Sequence, residues 1–289
     1  MPNSLSLSER CVTVAEDPPA ISFVDEARRL LRISSGVAQP FEAFRTGART
    51  RAVLATQPGV AHRLANRQDR VLVKLYKGPG ISVGSKQYQD YHQRWFHQFL
   101  GLTANDHVQQ SLEAGVNPGV GPYALLAFVE GEELAVLLER TRISRKQAGQ
   151  IIRGILLEIW IPLWAAGLRF KDCHPGNFVV RLDGRVVMID TEQMRKDLDE
   201  RLQRPNDWTQ RDKHERSGLS RLPGLLQRII LATDAQHRKT AVLREVKSTL
   251  TSVGLPELLR TLGRGGDVQA CVDGVTDLLS EFRKKEWVS

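Results

Sequence analysis

The chain has 289 residues, of which 41% are hydrophobic, enough for one large domain or two lobes around a substantial core. A formal net charge of +8 fits nucleic acid, an anionic membrane surface or an acidic substrate, and it does not choose among them. The three cysteines, Cys11, Cys173 and Cys271, are odd in number and far apart in sequence, which argues against a disulfide framework and fits a reducing compartment. None of them shows metal-ligand spacing.

The first twenty residues, 1–20, are polar and close on a Pro-Pro pair, which predicts a flexible N-terminal arm. They lack a basic region followed by an apolar run, so we expect no signal peptide and a cytoplasmic protein. The most apolar stretch, 151–168, is interrupted by Arg153, Glu158 and Pro162 and is short for a bilayer span. We therefore predict a buried helix there.

Three β-rich runs between residues 40 and 80 each close on Gly or Pro-Gly turn chemistry and predict a small antiparallel sheet: QPFEAFRTG, TRAVLATQPG and RVLVKLYKGPG. GPYALLAFVEGEEL, at 121–134, predicts another strand that runs into a turn at Glu130 and Gly131. Between these regions, aromatic residues from Tyr88 to Phe99 recur at three- and four-residue steps. This pattern predicts a helix whose aromatic face belongs to the core and does not stack on bases.

The chain beyond the last of these strands is mainly helical by pattern. A long helix is predicted over 144–167 with Ser144 as its N-cap, and amphipathic stretches follow residue 195, broken by GRGG at 263–266. We therefore predict an α+β fold with a small antiparallel β N-terminal lobe over 21–134 and a mainly helical C-terminal lobe over 135–289.

The segment LRFKDCHPGNFVVRLDGRVVMIDTEQMR, 168–195, carries the clearest chemical pattern. Asn177 follows Asp172 by five positions, and a hairpin with an Asp183-Gly184 turn returns the chain to Asp190. Phosphoryl transfer needs a carboxylate to orient the attacking hydroxyl and oxygen ligands to hold Mg²⁺ on the phosphates. Asp172 fits the first role, and Asn177 and Asp190 fit the second.

Lys74 lies in the apolar run VLVKLY, where a solvated lysine is awkward and a phosphate-pairing lysine is expected. Taken alone, it fits an edge-strand lysine equally well. The turn 128–131, which includes Glu130, is the expected hinge at which an adenine would meet backbone hydrogen-bonding groups.

DCHPGN, with VVMID after it, resembles the protein-kinase-like fold, specifically the bacterial small-molecule and sugar kinases that carry D-x-H-P-x-N. The continuation DTEQMR is similar to the bacterial lipopolysaccharide core kinases. The resemblance implies a bilobal kinase with a hinge near 128–134, ATP and Mg²⁺ as cofactors, and His174 in a supporting role. It also implies an anionic sugar or other hydroxyl-bearing acceptor, with peripheral contact at the inner membrane.

The sequence departs from the family pattern in the loop that would cover the nucleotide phosphates and in the acidic partner expected for Lys74. FRTGARTRAVLA has no G-x-G-x-x-G, and Thr46 and Arg49 are the candidate phosphate contacts next to Gly47. The helix after Lys74 lacks a Glu, and its Asp90 is a doubtful partner for that lysine.

Four other interpretations stay open. Asp, Pro, Gly and Asn form turns anyway, so the 172–190 pattern also fits a polar turn before a hairpin. A protein Ser/Thr kinase would need a peptide-docking segment, and none is recognisable after Asp190. A non-catalytic pseudokinase fits the missing Gly-rich loop, whereas a nucleic-acid-binding protein fits the charge but shows no reading motif.

Overall fold

The computed structural model of the protein describes residues 21–32, 41–45, 50–56, 70–76, 105–117, 121–140, 142–170, 172–190, 194–196, 205–234, 239–262 and 265–289. The chain divides into two compact units, the first formed by Met1–Ala104 and Gln110–Phe128 and the second by Asn105–Gln109 and Val129–Ser289. The predicted arm at 1–20, the aromatic helix from Tyr88 to Phe99, and Asp90 lie outside the described residues. The fold is mixed α+β, as predicted.

The described elements of the first unit are α1 (Ile21–Leu31), β1 (Phe41–Arg45), β2 (Thr50–Thr56), β3 (Val71–Tyr76), β4 (Ser111–Asn117) and β5 (Gly121–Ala127). The strands form one antiparallel five-stranded sheet in the order β1-β2-β3-β5-β4. Ala27 and Leu31 of α1 belong to the same buried cluster as Leu54, Val73 and Leu75. The β-rich runs that predict β1, β2, β3 and β5 therefore form strands because they bury apolar side chains beneath one helix.

The sequence does not predict β4, because SLEAGVN is poor in β-branched and aromatic residues. Pairing with β5 compensates for the low intrinsic strand propensity of these residues. Gly115 lies opposite Tyr123, and a Cβ built on Gly115 would meet the Tyr123 ring at 3.4–3.6 Å. The Tyr123 hydroxyl donates to a Glu113 carboxylate oxygen at 2.5 Å, and burial together with this bond raises the pKa of Tyr123.

The second unit is mainly helical with two small antiparallel sheets. Its described elements are β6 (Glu132–Glu133), α2 (Leu134–Arg140), α3 (Arg145–Arg153), a π-helical stretch (Gly154–Trp160), α4 (Ile161–Ala165), β7 (Leu168–Phe170), a 3-10 turn (Pro175–Asn177), β8 (Phe178–Val180), β9 (Val186–Met188), β10 (Met194–Lys196), α5 (Pro205–Leu231), α6 (Lys239–Ser252), α7 (Leu255–Leu262) and α8 (Val268–Lys284). Helix α5 continues through Pro223.

The apolar stretch predicted as one buried helix is a continuous run from α3 through the π-helical stretch to α4. It begins at Ser144, whose Oγ accepts from the Gln147 N–H, so the predicted N-cap is confirmed. The Trp160 and Trp164 rings stack inside the unit with centroids 5.7 Å apart. A Cβ on Gly154 would lie 3.3 Å from Val186, so this glycine lets β9 approach the helix closely.

In the described part of the chain, the run Arg145–Ala165 is long and apolar enough to cross a membrane by length and composition alone. Of its most apolar window, 61% is buried inside the protein. The core helices of soluble proteins pass the same test, so this run is only weak evidence for a membrane span.

The hairpin β8–β9 is paired along both of its edges within the second unit. Glu132 and Glu133 of β6 pair with Val180 and Val179, and on the other side the Met188 N–H donates to the His107 carbonyl at 2.8 Å. The predicted turn is confirmed, because Gly184 has φ of +82° and the hairpin closes with Phe178 opposite Met188. Hydrogen bonds on both edges fix the path of the chain toward Asp190.

Gly131 is expected to be essential for the β6–β8 pairing. Its φ is +151°, and a Cβ there would lie 2.4 Å from the Val180 carbonyl oxygen and 2.7 Å from a Val179 methyl group. We expect Gly131→Ala to lower the free energy of unfolding in urea by about 3 kcal/mol, since backbone must move. Gly254→Ala is the control, because Gly254 has φ of +68° with open space around its Cβ position. Equal losses in the two variants would contradict the proposed clash.

Candidate active site

Asp172 follows strand β7 and starts the loop that leads into the 3-10 turn. Its side chain is 25% exposed. An Arg221 guanidinium nitrogen lies 2.5 Å from Oδ1, and His174 Nε2 lies 3.6 Å from Oδ2. The first distance is a charge-assisted hydrogen bond, whereas the second is too long for a hydrogen bond. The carboxylate is therefore held in a positive environment at the surface of the second unit.

Asn177 connects the loop to the hairpin. Its Nδ2 donates to the Asp172 carbonyl at 2.7 Å, its backbone N–H donates to the His174 carbonyl at 3.0 Å, and its carbonyl accepts from the Ile189 N–H at 2.8 Å. The residue is buried, with 1% of its surface exposed. These bonds link Asp172, Asn177 and the residue before Asp190 in one chain, so the structure brings together the three predicted positions.

Asp190 has an uncommon backbone conformation. Its φ is +60°, in the left-handed region that non-glycine residues seldom occupy, and its side chain is half-buried. Non-glycine residues held in this region are enriched at functional sites, although Arg32 and Glu286 adopt it here at the ends of helices. Here, the preceding residue is fixed by the Ile189 to Asn177 hydrogen bond. The strained backbone places the carboxylate at the end of the hairpin that carries the rest of the set.

The donor atoms of Asn177 and Asp190 suit a hard cation. Because Nδ2 of Asn177 is used by the Asp172 carbonyl, the amide oxygen is the atom that remains for coordination. One amide oxygen and one carboxylate are ligands of the kind Mg²⁺ takes when phosphates and water complete its octahedron. Within the described ranges, no three His, Cys, Asp or Glu side chains group as a complete metal cage.

His174 and Cys173 have structural positions in the loop. His174 Nδ1 accepts from the Gly176 N–H at 3.0 Å and so caps the 3-10 turn. The ring supports the loop, as expected from the D-x-H-P-x-N pattern. Cys173 is buried, and that burial raises the pKa of its thiol, with the Arg221 guanidinium opposing the shift. A buried protonated thiol is a poor nucleophile, which fits a packing role.

Lys74 lies in β3, the central strand of the first unit, so the edge-strand interpretation is wrong. It faces Val53 on β2 and Ala124 on β5, and only 8% of the residue is exposed. Lysine is seldom buried to this extent unless its ammonium meets negative groups. The position therefore fits a lysine whose function requires a fixed charge.

The remaining predicted contacts differ in how far the structure describes them. Glu130 is exposed in the turn that precedes Gly131. Thr46 and Arg49, the predicted phosphate contacts, lie outside the described residues, as do Thr191 and Glu192 of the DTEQMR segment.

Sequence reasoning missed Arg221, which follows Asp172 by 49 positions and lies on α5. A single arginine in a charged helix has no local pattern that marks it as a partner of a distant carboxylate. Only the packing of α5 against β7 brings the two residues together.

No family model matches this chain, and no curated protein sequence is significantly similar to it.

Proposed function

We propose that the protein is an ATP-dependent kinase that transfers the γ-phosphate to a hydroxyl of a small-molecule or sugar acceptor. The observation that carries the proposal is the hydrogen-bonded chain from the Asp172 carbonyl through Asn177 to Ile189, next to Asp190. Ordinary turns also contain aspartates in the left-handed region, so the support comes from the combination of that backbone at Asp190 with a buried Asn177 bonded to both ends of the segment. An active site that holds metal-bound phosphates near a carboxylate would use both.

In the proposed reaction, Asp172 orients the acceptor hydroxyl and accepts its proton as the hydroxyl oxygen attacks the γ-phosphorus in line. The bond from that phosphorus to the oxygen bridging the β-phosphate breaks, and ADP leaves. Arg221, which already contacts the carboxylate, fixes its orientation. Its guanidinium also adds positive charge where the phosphoryl oxygens become more negative. Most of the rate acceleration would thus come from positioning and from fixed charges, as is general for phosphoryl transfer.

Asn177 and Asp190 would hold Mg²⁺, which supplies charge neutralisation on the nucleotide phosphates. Lys74 would steady those phosphates, as the resemblance to bilobal kinases implies. Backbone groups near Glu130, with Thr46 and Arg49, would complete the nucleotide contacts. These assignments belong to the proposal and rest on the residue types and on the buried position of Lys74.

The acceptor class rests on charge and on the DTEQMR resemblance. A net charge of +8 favours an anionic acceptor, and a lipopolysaccharide core sugar is the narrower proposal. Such an acceptor would place the protein in the cytoplasm with peripheral contact at the inner membrane. A protein Ser/Thr kinase would instead label generic protein substrates, and a pseudokinase would release no ADP with any acceptor.

Nucleotide binding is the first test. We expect ATP with Mg²⁺ to raise the melting temperature by about 5 °C or more at a hundredfold excess over Kd. ATP with EDTA should have a much smaller effect. Lys74→Met should lose most of the shift while the free protein stays folded, because methionine fills the same buried volume. The matched control, Lys146→Met on the exposed face of α3, should keep it.

Two outcomes would contradict the proposal. Equal shifts in melting temperature for ATP with Mg²⁺ and for ATP with EDTA would contradict the metal-binding role of the site. The absence of any shift at millimolar nucleotide would favour the pseudokinase interpretation.

A further inference from the structure

A cavity of about 730 Å³ opens in the second unit beside the catalytic loop. Cys173, His174 and Pro175 form one wall, directly after Asp172 in the chain, and helices α2, α5 and α6 form the others. Its size is typical of pockets that enclose small ligands. Arg221 lines the cavity and also contacts Asp172, so the cavity lies beside the carboxylate to which the proposed function assigns the acceptor hydroxyl.

Four cationic side chains line this cavity, and among the described residues no acidic one does: Arg221 and Arg228 on α5, and Lys239 and Lys247 on α6. Their spacing explains the arrangement, since residues seven apart on α5 and eight apart on α6 lie on similar helix faces. Both helices thus present positive charge to one space, while the rest of the lining mixes four leucines with small and neutral polar residues.

The four cations differ in whether a carboxylate already pairs with them. Arg221 contacts Asp172, and Arg228 lies 3.6 Å from Glu139, whose side chain is 71% exposed. Within the described part of the chain, Lys239 and Lys247 pair with no carboxylate. The cavity therefore has two ammonium groups whose charge is available to a ligand.

We propose that this cavity is the acceptor site and that it binds the acceptor through a phosphate or carboxylate group. The inference rests on the proposed kinase function and adds the place and the recognition chemistry of its substrate. Lys239 and Lys247 lie eight residues apart, about 12 Å along the helix axis. They would hold the anionic groups of an extended acceptor, and the hydroxyl would lie at the Asp172 end.

Gly224 provides a second, independent way to test the cavity. It lines the cavity on α5, and a Cβ built on it would have no heavy atom within 4 Å. Gly224→Leu should therefore place a side chain in the open space and fill part of the site. Because leucine favours helix more than glycine does, the free protein should stay at least as stable as the wild type.

The experiment measures anion binding by calorimetry with inorganic phosphate, glucose 6-phosphate and glucuronate, with neutral glucose as the control ligand. Wild type is compared with Lys239→Gln/Lys247→Gln and with Gly224→Leu. The matched control, Lys146→Gln/Arg244→Gln, removes two exposed cations outside the cavity lining. We expect at least one anion to bind wild type and the control, and to bind both cavity variants about tenfold more weakly. A preference between glucose 6-phosphate and glucuronate would distinguish phosphate from carboxylate recognition.

The inference is overturned if no anion binds, if glucose binds as well as the charged sugars, or if the control double variant loses as much affinity as the cavity double variant. The Mg²⁺-dependent shift with ATP, measured on the same proteins, separates the two proposals. If anion binding needs Lys239 and Lys247 but ATP with Mg²⁺ does not shift the melting temperature, the kinase function is contradicted, and with it the acceptor role of the cavity. A normal ATP response without anion binding would contradict the acceptor site alone.

Discussion

Replacing Asp172 with alanine or asparagine is expected to lower phosphoryl transfer about a thousandfold, within the range usual for a lost general base. Asparagine keeps the shape of the side chain and can still contact the loop, but it cannot accept the hydroxyl proton. The shift in melting temperature with ATP and Mg²⁺ should persist in both variants, because the proposal assigns the nucleotide contacts to other residues. ADP release in the presence of acceptor is the measurement.

Asp183→Asn is the control for the Asp172 variants. Asp183 is an exposed acid in the β8–β9 turn, where its carboxylate accepts from the Arg185 backbone and side chain, and these bonds hold its pKa below the usual range. Its loss should leave turnover unchanged. Normal turnover by Asp172→Asn would show that another group accepts the proton, and the role given to Asp172 would fail.

Two substitutions at Asp190 separate its backbone strain from its proposed metal contact. Asp190→Ala and Asp190→Gly remove the same carboxylate, so both should abolish the Mg²⁺-dependent part of the shift with ATP. They differ in the cost of the left-handed backbone at φ of +60°. Glycine adopts this conformation freely, whereas alanine does not, so Asp190→Gly should be more stable to urea by about 1 kcal/mol.

The comparison between the two Asp190 variants is made without nucleotide, so metal binding cannot influence it. Equal stability of the alanine and glycine variants would mean that residue 190 leaves the left-handed region in solution. Retained Mg²⁺ dependence in both variants would exclude Asp190 as a ligand, whatever their stabilities.

Local patterns predicted the parts of the site that lie close together in sequence. The Asp183-Gly184 turn with a β-rich run on each side specifies the hairpin, and Ser144 specifies the start of the long helix. The five-residue separation of Asp172 and Asn177 suffices for the Asn amide to reach the Asp172 carbonyl. In each case the residues whose interaction forms the structure lie close together in the sequence.

Other features depend on contacts between distant segments, and no local pattern encodes them. Arg221 reaches Asp172 only because α5 packs on β7, and the cavity exists only where α5 and α6 meet the loop. Strand β4 forms from residues of low strand propensity because β5 offers it a partner. The π-helical stretch at Gly154–Trp160 follows no periodicity that an ordinary helix pattern would reveal.

The short segment Asn105–Gln109 makes the two units interlaced in sequence and not modular. The chain crosses from one unit to the other after Ala104, after Gln109 and again after Phe128. A fragment that begins at Val129 would lack the His107 carbonyl and the Gln109 N–H that satisfy Met188, and the outer edge of β9 would be left open two residues before Asp190. Neither unit can therefore be excised or exchanged by a single cut, and insertions at the Ala104 and Gln109 crossings would disturb the β8–β9 hairpin itself.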